Sequence, residues 1–130
     1  MKWKRYKTLD QKGTIIMQNT KEQSEERIDN CTLRLIQRLT GGKWKPFIIW
    51  MLKYGATRFN VLYKELQPIT HATLATQLKE LERDGMITRT VYPEVPLRVE
   101  YELTLVGKEY LDLLCQIYDW AERNYVQSNK

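Results

Sequence analysis

The fold is decided by residues 59–103, which read FNVLYKELQPITHATLATQLKELERDGMITRTVYPEVPLRVEYEL. The first half of this stretch has apolar residues at helical spacing, and the second half alternates between apolar and polar residues. Pro68 stops one short helix, Thr70 is a good N-cap for the next, and Gly85 ends that second helix. Two short helices joined by a turn and followed directly by a β-hairpin predict a winged helix-turn-helix.

Further helices flank this stretch on both sides. A helix capped by Asp29 or Asn30 precedes a Gly-Gly pair, and Lys43 starts a second helix after it. Thr104 caps a last helix that runs roughly to Tyr125. The prediction is therefore a mainly α fold with a small β-wing, that is, a winged helix-turn-helix with flanking dimerisation helices.

The chain divides in the prediction into an arm and one domain. Residues 1–20 show no sustained period and are rich in lysine and arginine, so they predict a flexible basic N-terminal arm, or an extension that contacts DNA phosphate or a partner subunit. Residues 21–130 are the predicted DNA-binding domain with its C-terminal dimerisation helix. With 130 residues in all, one domain is the expected number.

Composition excludes several classes of protein. Apolar residues make up 42% of the chain, which is ordinary globular usage. No apolar run is long enough to span a membrane or to act as a signal sequence, so we expect a cytoplasmic protein without a membrane partner. The two cysteines, Cys31 and Cys115, are too few for a disulfide scaffold and wrongly spaced for zinc. The sequence also lacks a glycine-rich phosphate loop and a nucleophile–base motif, so no cofactor and no enzyme are predicted.

The distribution of charge points to a nucleic-acid partner. The formal net charge is +5, of which residues 1–7 contribute +4 and residues 31–58, without a single acid, contribute +6. The rest of the chain is net negative. Such asymmetry indicates an anionic partner better than the total does, and double-stranded DNA suits the predicted fold.

The second helix of the motif is the recognition helix, and its two faces differ in chemistry. Leu74, Leu78 and Leu81 share one apolar face. The other face carries short uncharged groups that suit base edges, since glutamine pairs with adenine and threonine offers a hydroxyl and a methyl. A lysine further along suits phosphate. The predicted DNA-binding residues of this helix are Ala72, Thr73, Thr76, Gln77 and Lys79.

Three more basic residues are candidates for DNA contact. Arg89 and Arg98 lie on the two strands of the wing, whose tip is stiffened by prolines and is expected to reach the minor groove or phosphates. Arg98 has an alternative role, which is to pair with Glu100 or Glu102 on the strand surface. Lys43, at the start of its helix, either contacts phosphate or is structural, and Lys45 in the same turn is a further candidate for phosphate contact.

The last helix carries two adjacent apolar stripes. One stripe consists of Val106, Tyr110, Leu113, Ile117 and Trp120, and the other of Leu111, Leu114, Tyr118, Ala121 and Tyr125. A surface helix of a monomer needs only one such stripe, so we expect one stripe to pack on its own domain and one on a second copy. A homodimer with twofold symmetry predicts a palindromic operator.

Cys31 is the candidate redox-sensing residue. It lies at the predicted start of a helix, where the helix dipole and nearby arginines favour a thiolate, although Asp29 opposes them. The alternative is that Cys31 is a small buried hydrophobic residue. Cys115 lies among apolar residues and is expected in the core or an interface, with a resolving thiol as its other possible role.

The motifs together resemble a known family, the HxlR-type winged helix-turn-helix regulators of bacteria. The resemblance covers about residues 30–122. It implies a small homodimeric transcription factor, often a repressor, and several members sense electrophiles or oxidants through the cysteine that Cys31 matches. The family commonly has a basic residue where this chain has Ala72, which leaves the target sequence open. The matching parts are Cys31, GGKWK (41–45), RFNVL (58–62), LATQLKELERDG (74–85) and RTVYPEVPLRVEY (89–101).

Two other functions fit the same fold. A ligand-responsive regulator would bind a small molecule between the core and the dimerisation helices, where Trp44, Trp50, Tyr63 and Trp120 supply aromatic surface. A protein-interaction module would have kept the winged fold and lost DNA binding. The basic segment 31–58 and the recognition face favour a DNA-binding regulator, with a small thiol or an electrophile as its effector.

Overall fold

The computed structural model describes residues 5–9, 12, 15–19 and 31–127, and the chain divides into two units, residues 1–38 and 39–130. In the first unit, strands β1 (Arg5–Leu9) and β2 (Ile15–Asn19) pair in antiparallel register, with Arg5 opposite Asn19 and Leu9 opposite Ile15. The sequence predicts an arm without regular structure here, so these two stretches differ from the prediction. Tyr, Thr and Ile are strong strand formers, and five-residue strands are too short to show a sustained period.

Helix α1 (Thr32–Thr40) follows at the end of the first unit. The Cys31 carbonyl accepts backbone hydrogen bonds from Arg34 (2.9 Å) and Leu35 (3.2 Å), so Cys31 is the residue that precedes the first turn. The predicted caps, Asp29 and Asn30, lie outside the described residues.

Helix α2 (Lys45–Met51) begins two residues later than predicted, with Pro46 in its first turn, and ends in a 3₁₀ turn (Leu52–Tyr54). The helical period predicts that Phe47 faces the core, and this is wrong: Phe47 is 56% exposed, whereas Ile49 is fully buried beside Ile48. Seven helical residues are too few for periodicity to fix the buried face of a helix.

The helix-turn-helix follows as predicted. A short strand, β3 (Thr57–Arg58), leads into α3 (Phe59–Glu65), and the recognition helix is α4 (His71–Arg83). Thr70 caps α4, because its hydroxyl oxygen accepts a hydrogen bond of 3.1 Å from the backbone N–H of Thr73.

The wing is an antiparallel hairpin of β4 (Ile87–Tyr92) and β5 (Arg98–Leu103), in which Ile87 lies opposite Leu103 and Tyr92 opposite Arg98. Strand β3 pairs with the other edge of β5 and completes a three-stranded sheet of order β3-β5-β4. The predicted mainly α architecture with a small β-wing is therefore confirmed.

Helix α5 (Leu105–Ala121) is the last α-helix of the described residues, and a π-helical turn (Glu122–Val126) follows it. Thr104 caps it as predicted, since its hydroxyl accepts from the N–H of Gly107 and donates to the carbonyl of Gly85 at 2.6 Å. A β-carbon added to Gly107 would lie well under 3 Å from the Met86 carbonyl oxygen. The first turn of α5 thus packs on the backbone that follows α4.

One apolar core joins these elements of the second unit. Leu74, Leu78 and Leu81 of α4 are each at most 1% exposed, so the predicted apolar face anchors the recognition helix in the core. Within the described residues, no helix is long and apolar enough to cross a membrane. The buried apolar residues are Ile48, Ile49, Leu52, Leu62, Leu66, Ile69, Leu74, Leu78, Leu81, Met86, Ile87, Tyr101 and Leu103.

Candidate nucleic-acid interface

The predicted base-reading residues lie away from the buried leucines of α4. Ala72, Thr76 and Lys79 are exposed, and Thr73 and Gln77 are half-buried at the flank. No acidic residue occurs in the first turn of α4. This end of the helix can therefore approach a polyanion without like-charge repulsion from its own side chains.

Hydrogen bonds within α4 and its N-cap leave Thr73 and Thr76 with different groups for contact with DNA. The Thr76 hydroxyl donates its proton to the carbonyl of Ala72 at 2.9 Å, so Thr76 offers a methyl group and an acceptor oxygen. The Thr73 hydroxyl accepts from the Thr70 hydroxyl at 2.9 Å and keeps its own proton for donation. The helix thus presents a donor and an acceptor one turn apart, next to the amide of Gln77.

The structure brings two of the predicted basic residues together. A cleft of about 400 Å³ separates α4 from the wing sheet, with Lys79 on one wall and Arg89 on the other. Both side chains are exposed, and neither forms an ion pair with a described residue. Glu82 also lines the cleft, which leaves a net positive lining that suits phosphate.

Arg98 is held within the wing. Its guanidinium lies 3.8 Å from the centre of the Tyr92 ring and 3.2 Å from the carboxylate of Glu94. The alternative prediction, that Arg98 pairs with Glu100 or Glu102, is wrong, because the wing loop brings Glu94 to the guanidinium instead. Arg98 therefore braces the loop, and its contribution to DNA binding stays a prediction.

The two lysines near the start of α2 differ in burial. Lys43 lies in the turn before the helix rather than in it, exposed, with its Nζ 4.9 Å from the centre of the Trp44 ring. Lys45 is 6% exposed, and its Nζ lies 2.8 Å from Oε2 of Glu80 on α4. Lys45 is thus structural, and Lys43 is the one of the two that can reach phosphate.

An aromatic stack lies at the junction of α3 and α4. The ring centre of His71 lies 3.9 Å from that of Tyr63 and 5.6 Å from that of Phe59, with nearly parallel planes. The stack packs the first residue of the recognition helix on α3. No local signal in the sequence predicts this stack.

Helix α5 carries an uncovered apolar surface. The four stripe residues Val106, Leu113, Ile117 and Trp120 are 50–56% exposed. From the neighbouring stripe, Leu111 and Leu114 pack against the core. Tyr110 of the first stripe also packs against the core, whereas Tyr118 and Tyr125 of the second stripe are 52% and 60% exposed. The described residues thus cover one side of α5 and leave another open, but the boundary differs from that of the two predicted stripes.

An apolar groove lies between α2 and α5. It has a volume of about 280 Å³ and is lined by Phe47, Trp50, Ile117 and Tyr118, among others. The rings of Trp50 and Tyr118 stack with centres 5.0 Å apart. Among the aromatic residues that the sequence offers for a ligand site, Trp50 is the one on this groove.

One titratable side chain of α5 has a pKa that is shifted by burial. It raises the pKa of Tyr110 above its ordinary value of 10.0, and a hydrogen bond with the Thr40 side chain partly offsets this shift. Both cysteines are half-buried. No cluster of potential metal ligands occurs among the described residues.

Comparison with known proteins identifies the group to which this arrangement belongs. A family model described as HxlR-like helix-turn-helix matches residues 39–129, which is the second unit without its last residue. The chain belongs to the HxlR-like helix-turn-helix family. The resemblance of the sequence motifs is thereby confirmed.

Individual relatives of this HxlR-like chain are transcriptional regulators. The HTH-type transcriptional regulator YdeP of Bacillus subtilis is 39% identical, over 77% of this chain and 78% of YdeP. The oxidised redox regulator HypR is similar in structure, with a TM-score of 0.67, 37% identity and coverage of 72% and 97%. The reduced form of the transcriptional regulator YodB of B. subtilis gives a TM-score of 0.66, 30% identity and coverage of 74% and 94%.

The HxlR-like site contains groups that sequence reasoning missed. Glu80, Tyr92 and Glu94 fix the positions of basic residues, although none of them is a predicted site residue. Their partners are assigned by tertiary contact, for which a single sequence carries no signal.

Proposed function

We propose that this protein is a homodimeric, sequence-specific DNA-binding regulator that represses transcription. The observation that carries the proposal is the surface of α4, where Thr73, Thr76 and Gln77 form an uncharged polar face beside the cleft that holds Lys79 and Arg89. Neutral donors and acceptors of this kind suit base edges, and the two cations suit phosphate. Repression is supported by the family resemblance.

In this proposal α4 enters the major groove by its N-terminal turn, and a DNA backbone strand follows the cleft between α4 and the wing. Thr76 places its methyl on a thymine and Gln77 pairs with an adenine, while Ala72 contacts a second methyl. Lys79 and Arg89 bind the intervening phosphates, and Lys43 and Arg98 are the outer candidates. Base contacts specify the sequence, and phosphate contacts supply most of the affinity.

The dimer in this proposal forms through the uncovered stripe of α5. Large exposed apolar surfaces on soluble proteins are typical of protein–protein interfaces, and the stripe has four half-exposed apolar side chains. Twofold symmetry would place two α4 helices one or two DNA turns apart on a palindromic operator.

We also propose that Cys31 responds to thiol oxidation in the cytoplasm. Cys31 precedes the first turn of α1, a position that favours a thiolate, and it is half-buried rather than sealed in the core. Among the similar structures are the redox regulator HypR and a diamide-treated form of YodB. Diamide would take two electrons and two protons from Cys31 and a second thiol, forming a disulfide that releases the DNA.

The experiment that tests DNA recognition is fluorescence anisotropy with an operator selected by the protein from random duplex DNA, against scrambled DNA at fixed salt. Wild type is expected to prefer the operator by roughly 10³-fold or more. Thr76→Ala and Gln77→Ala should each lower that preference by about tenfold or more, at unchanged affinity for scrambled DNA. Lys79→Ala and Arg89→Ala should weaken both complexes alike and reduce the salt dependence.

Three outcomes would contradict parts of the proposal. Equal binding of both DNAs by wild type would favour a protein-interaction module of the winged fold. Transcription in vitro that rises when the protein binds its operator would contradict repression. DNA release by diamide that persists in Cys31→Ser would contradict the role of Cys31, and the response of Cys115→Ser shows whether Cys115 is the second thiol.

A second candidate function is a small-ligand-responsive regulator, favoured by the apolar groove between α2 and α5. Its volume of about 280 Å³ is near the lower limit of ligand sites and would hold a molecule of one or two rings. Because Ile117 lies on both the groove and the exposed stripe, a ligand there would alter dimerisation. A small aromatic compound that quenches Trp50 fluorescence and releases operator DNA, with diamide having no effect, would favour this function over thiol sensing.

A further inference from the structure

A buried ion pair connects α4 to α2. The Nζ of Lys45 lies 2.8 Å from Oε2 of Glu80, and their side chains are 7% and 33% exposed. Among the described residues, Lys45 is the one charged residue that is buried. A buried ion pair adds little net stability, because the cost of desolvation offsets the attraction, and its best-supported role is to fix the register between elements.

We infer that the Lys45–Glu80 pair determines DNA sequence specificity by fixing the rotation of α4 about its axis. This inference rests on the proposed function of α4. Both residues act as positioning residues: the pair sets the direction of the base-reading side chains and itself makes no contact with a base.

The position of Glu80 on α4 supports this role. Glu80 follows Gln77 by three residues, Thr76 by four and Thr73 by seven, and residues at these spacings share one side of a helix. A force on the Glu80 carboxylate therefore acts on the side of α4 that carries three predicted base contacts. A rotation of the helix would displace all three together.

Beyond its first residue, where His71 stacks on Tyr63 and Phe59, the other contacts of α4 leave this rotation to the ion pair. Leu74, Leu78 and Leu81 anchor the helix through apolar contacts, which have no direction and adjust to small shifts. On the opposite flank, Ala75 and Glu82 face the open cleft beside the wing. The ion pair is short and directional, so it defines the angle of the helix in a way that the leucines do not.

Glu80 also has an electrostatic effect that must be separated from positioning. Without Lys45 its carboxylate would stand as an uncompensated negative charge on the DNA-reading helix and repel phosphate on any DNA. Lys45→Met alone should therefore weaken both operator and scrambled DNA. The double variant Lys45→Met/Glu80→Met removes the directional contact, leaves the net charge unchanged and retains a similar side-chain volume.

The experiment measures operator and scrambled-DNA affinities for wild type, for Lys45→Met, for the double variant and for Lys108→Met, an exposed lysine on α5 that controls for the loss of one cation in Lys45→Met. Circular dichroism melting is recorded for each protein. The double variant is expected to melt at or above the wild-type temperature. It should bind scrambled DNA within about twofold of wild type, yet lose at least about tenfold in preference for the operator. Lys108→Met should keep the preference.

Two results would overturn the inference. One is a double variant that stays folded and keeps the wild-type preference, which would make the pair merely structural. The other is an equal loss of affinity for both DNAs, which would make its effect electrostatic. If the double variant fails to fold, the swapped variant Lys45→Glu/Glu80→Lys takes its place with the reverse expectation: it restores the ion pair and should keep the operator preference, and a folded swapped variant that loses the preference would overturn the inference. Wild-type protein that shows no operator preference would instead refute the proposed function.

Discussion

Replacing Ile117 with alanine should weaken the proposed dimer strongly while leaving the monomer folded. Ile117 is 56% exposed on α5 and lies in the middle of the uncovered stripe. The substitution removes about three methyl-sized groups, each of which contributes about 0.8 kcal/mol when buried. Since the fold already covers almost half of the side chain, about 1.3 kcal/mol remains to be gained at an interface with a second copy.

Twofold symmetry doubles this effect. In an isologous dimer both copies of Ile117 are lost, so the total is about 2.5 kcal/mol and the dissociation constant should rise roughly 50- to 100-fold. Sedimentation velocity over a series of protein concentrations measures this shift. Val61→Ala is the matched control, since Val61 is 45% exposed on α3 and should leave the dimer unchanged. A dissociation constant for Ile117→Ala within twofold of wild type would refute the role of the stripe.

Two further predictions concern stability. Gly107→Ala should lower the melting temperature by about 5–15 °C, because the new methyl group would clash with the Met86 carbonyl. The control variant Lys108→Ala, at an exposed position, should melt near the wild-type temperature. Equal melting temperatures of the two variants would contradict the close approach of Gly107 to Met86. Burial raises the pKa of Tyr110, so folding favours its neutral form, and stability held below pH 10 should fall at higher pH. Urea unfolding at pH 8 and pH 11 should show a smaller loss for Tyr110→Phe, and identical losses would count against this reasoning.

The order of elements could be predicted from sequence wherever the signal is local. Thr70 and Thr104 cap their helices as predicted, and the predicted β-hairpin follows the recognition helix with Arg89 and Arg98 on its two strands. Capping depends on a residue and the backbone three positions away, and a strand's alternation is contained in six residues. Both can be read without knowing what packs against them.

The predictions that failed depend on contacts that no local sequence pattern specifies. Nothing local distinguishes Lys45 from the exposed Lys43, because its burial is set by Glu80, 35 positions away in sequence. Likewise, Arg98 finds Glu94 only after the wing loop has folded back on the strand. The acidic residue that neutralises a buried or half-buried cation is a property of the fold.

The candidate site shows the same division. Periodicity places the five recognition-helix residues opposite the leucines, which the burial of α4 bears out. It does not show that Thr76 uses its proton on Ala72, or that Lys79 and Arg89 line one cleft. The position of these residues away from the leucines could be predicted, whereas the donors and acceptors that they present depend on the folded structure, and their contact with DNA stays a prediction.

Hydrogen bonds at Thr104 connect α5, which carries the proposed dimer surface, to α4, which carries the proposed DNA-reading surface. The Thr104 hydroxyl donates to the Gly85 carbonyl at 2.6 Å, and its backbone N–H donates to the Met86 carbonyl at 3.0 Å. Gly85 and Met86 directly follow α4, while Thr104 directly precedes α5. The end of the recognition helix is thus hydrogen-bonded to the start of the proposed dimerisation helix. In a dimer formed through α5, the distance between the two α4 helices would follow from the packing of the α5 pair, so half-site spacing on the operator would be set by α5 rather than by α4.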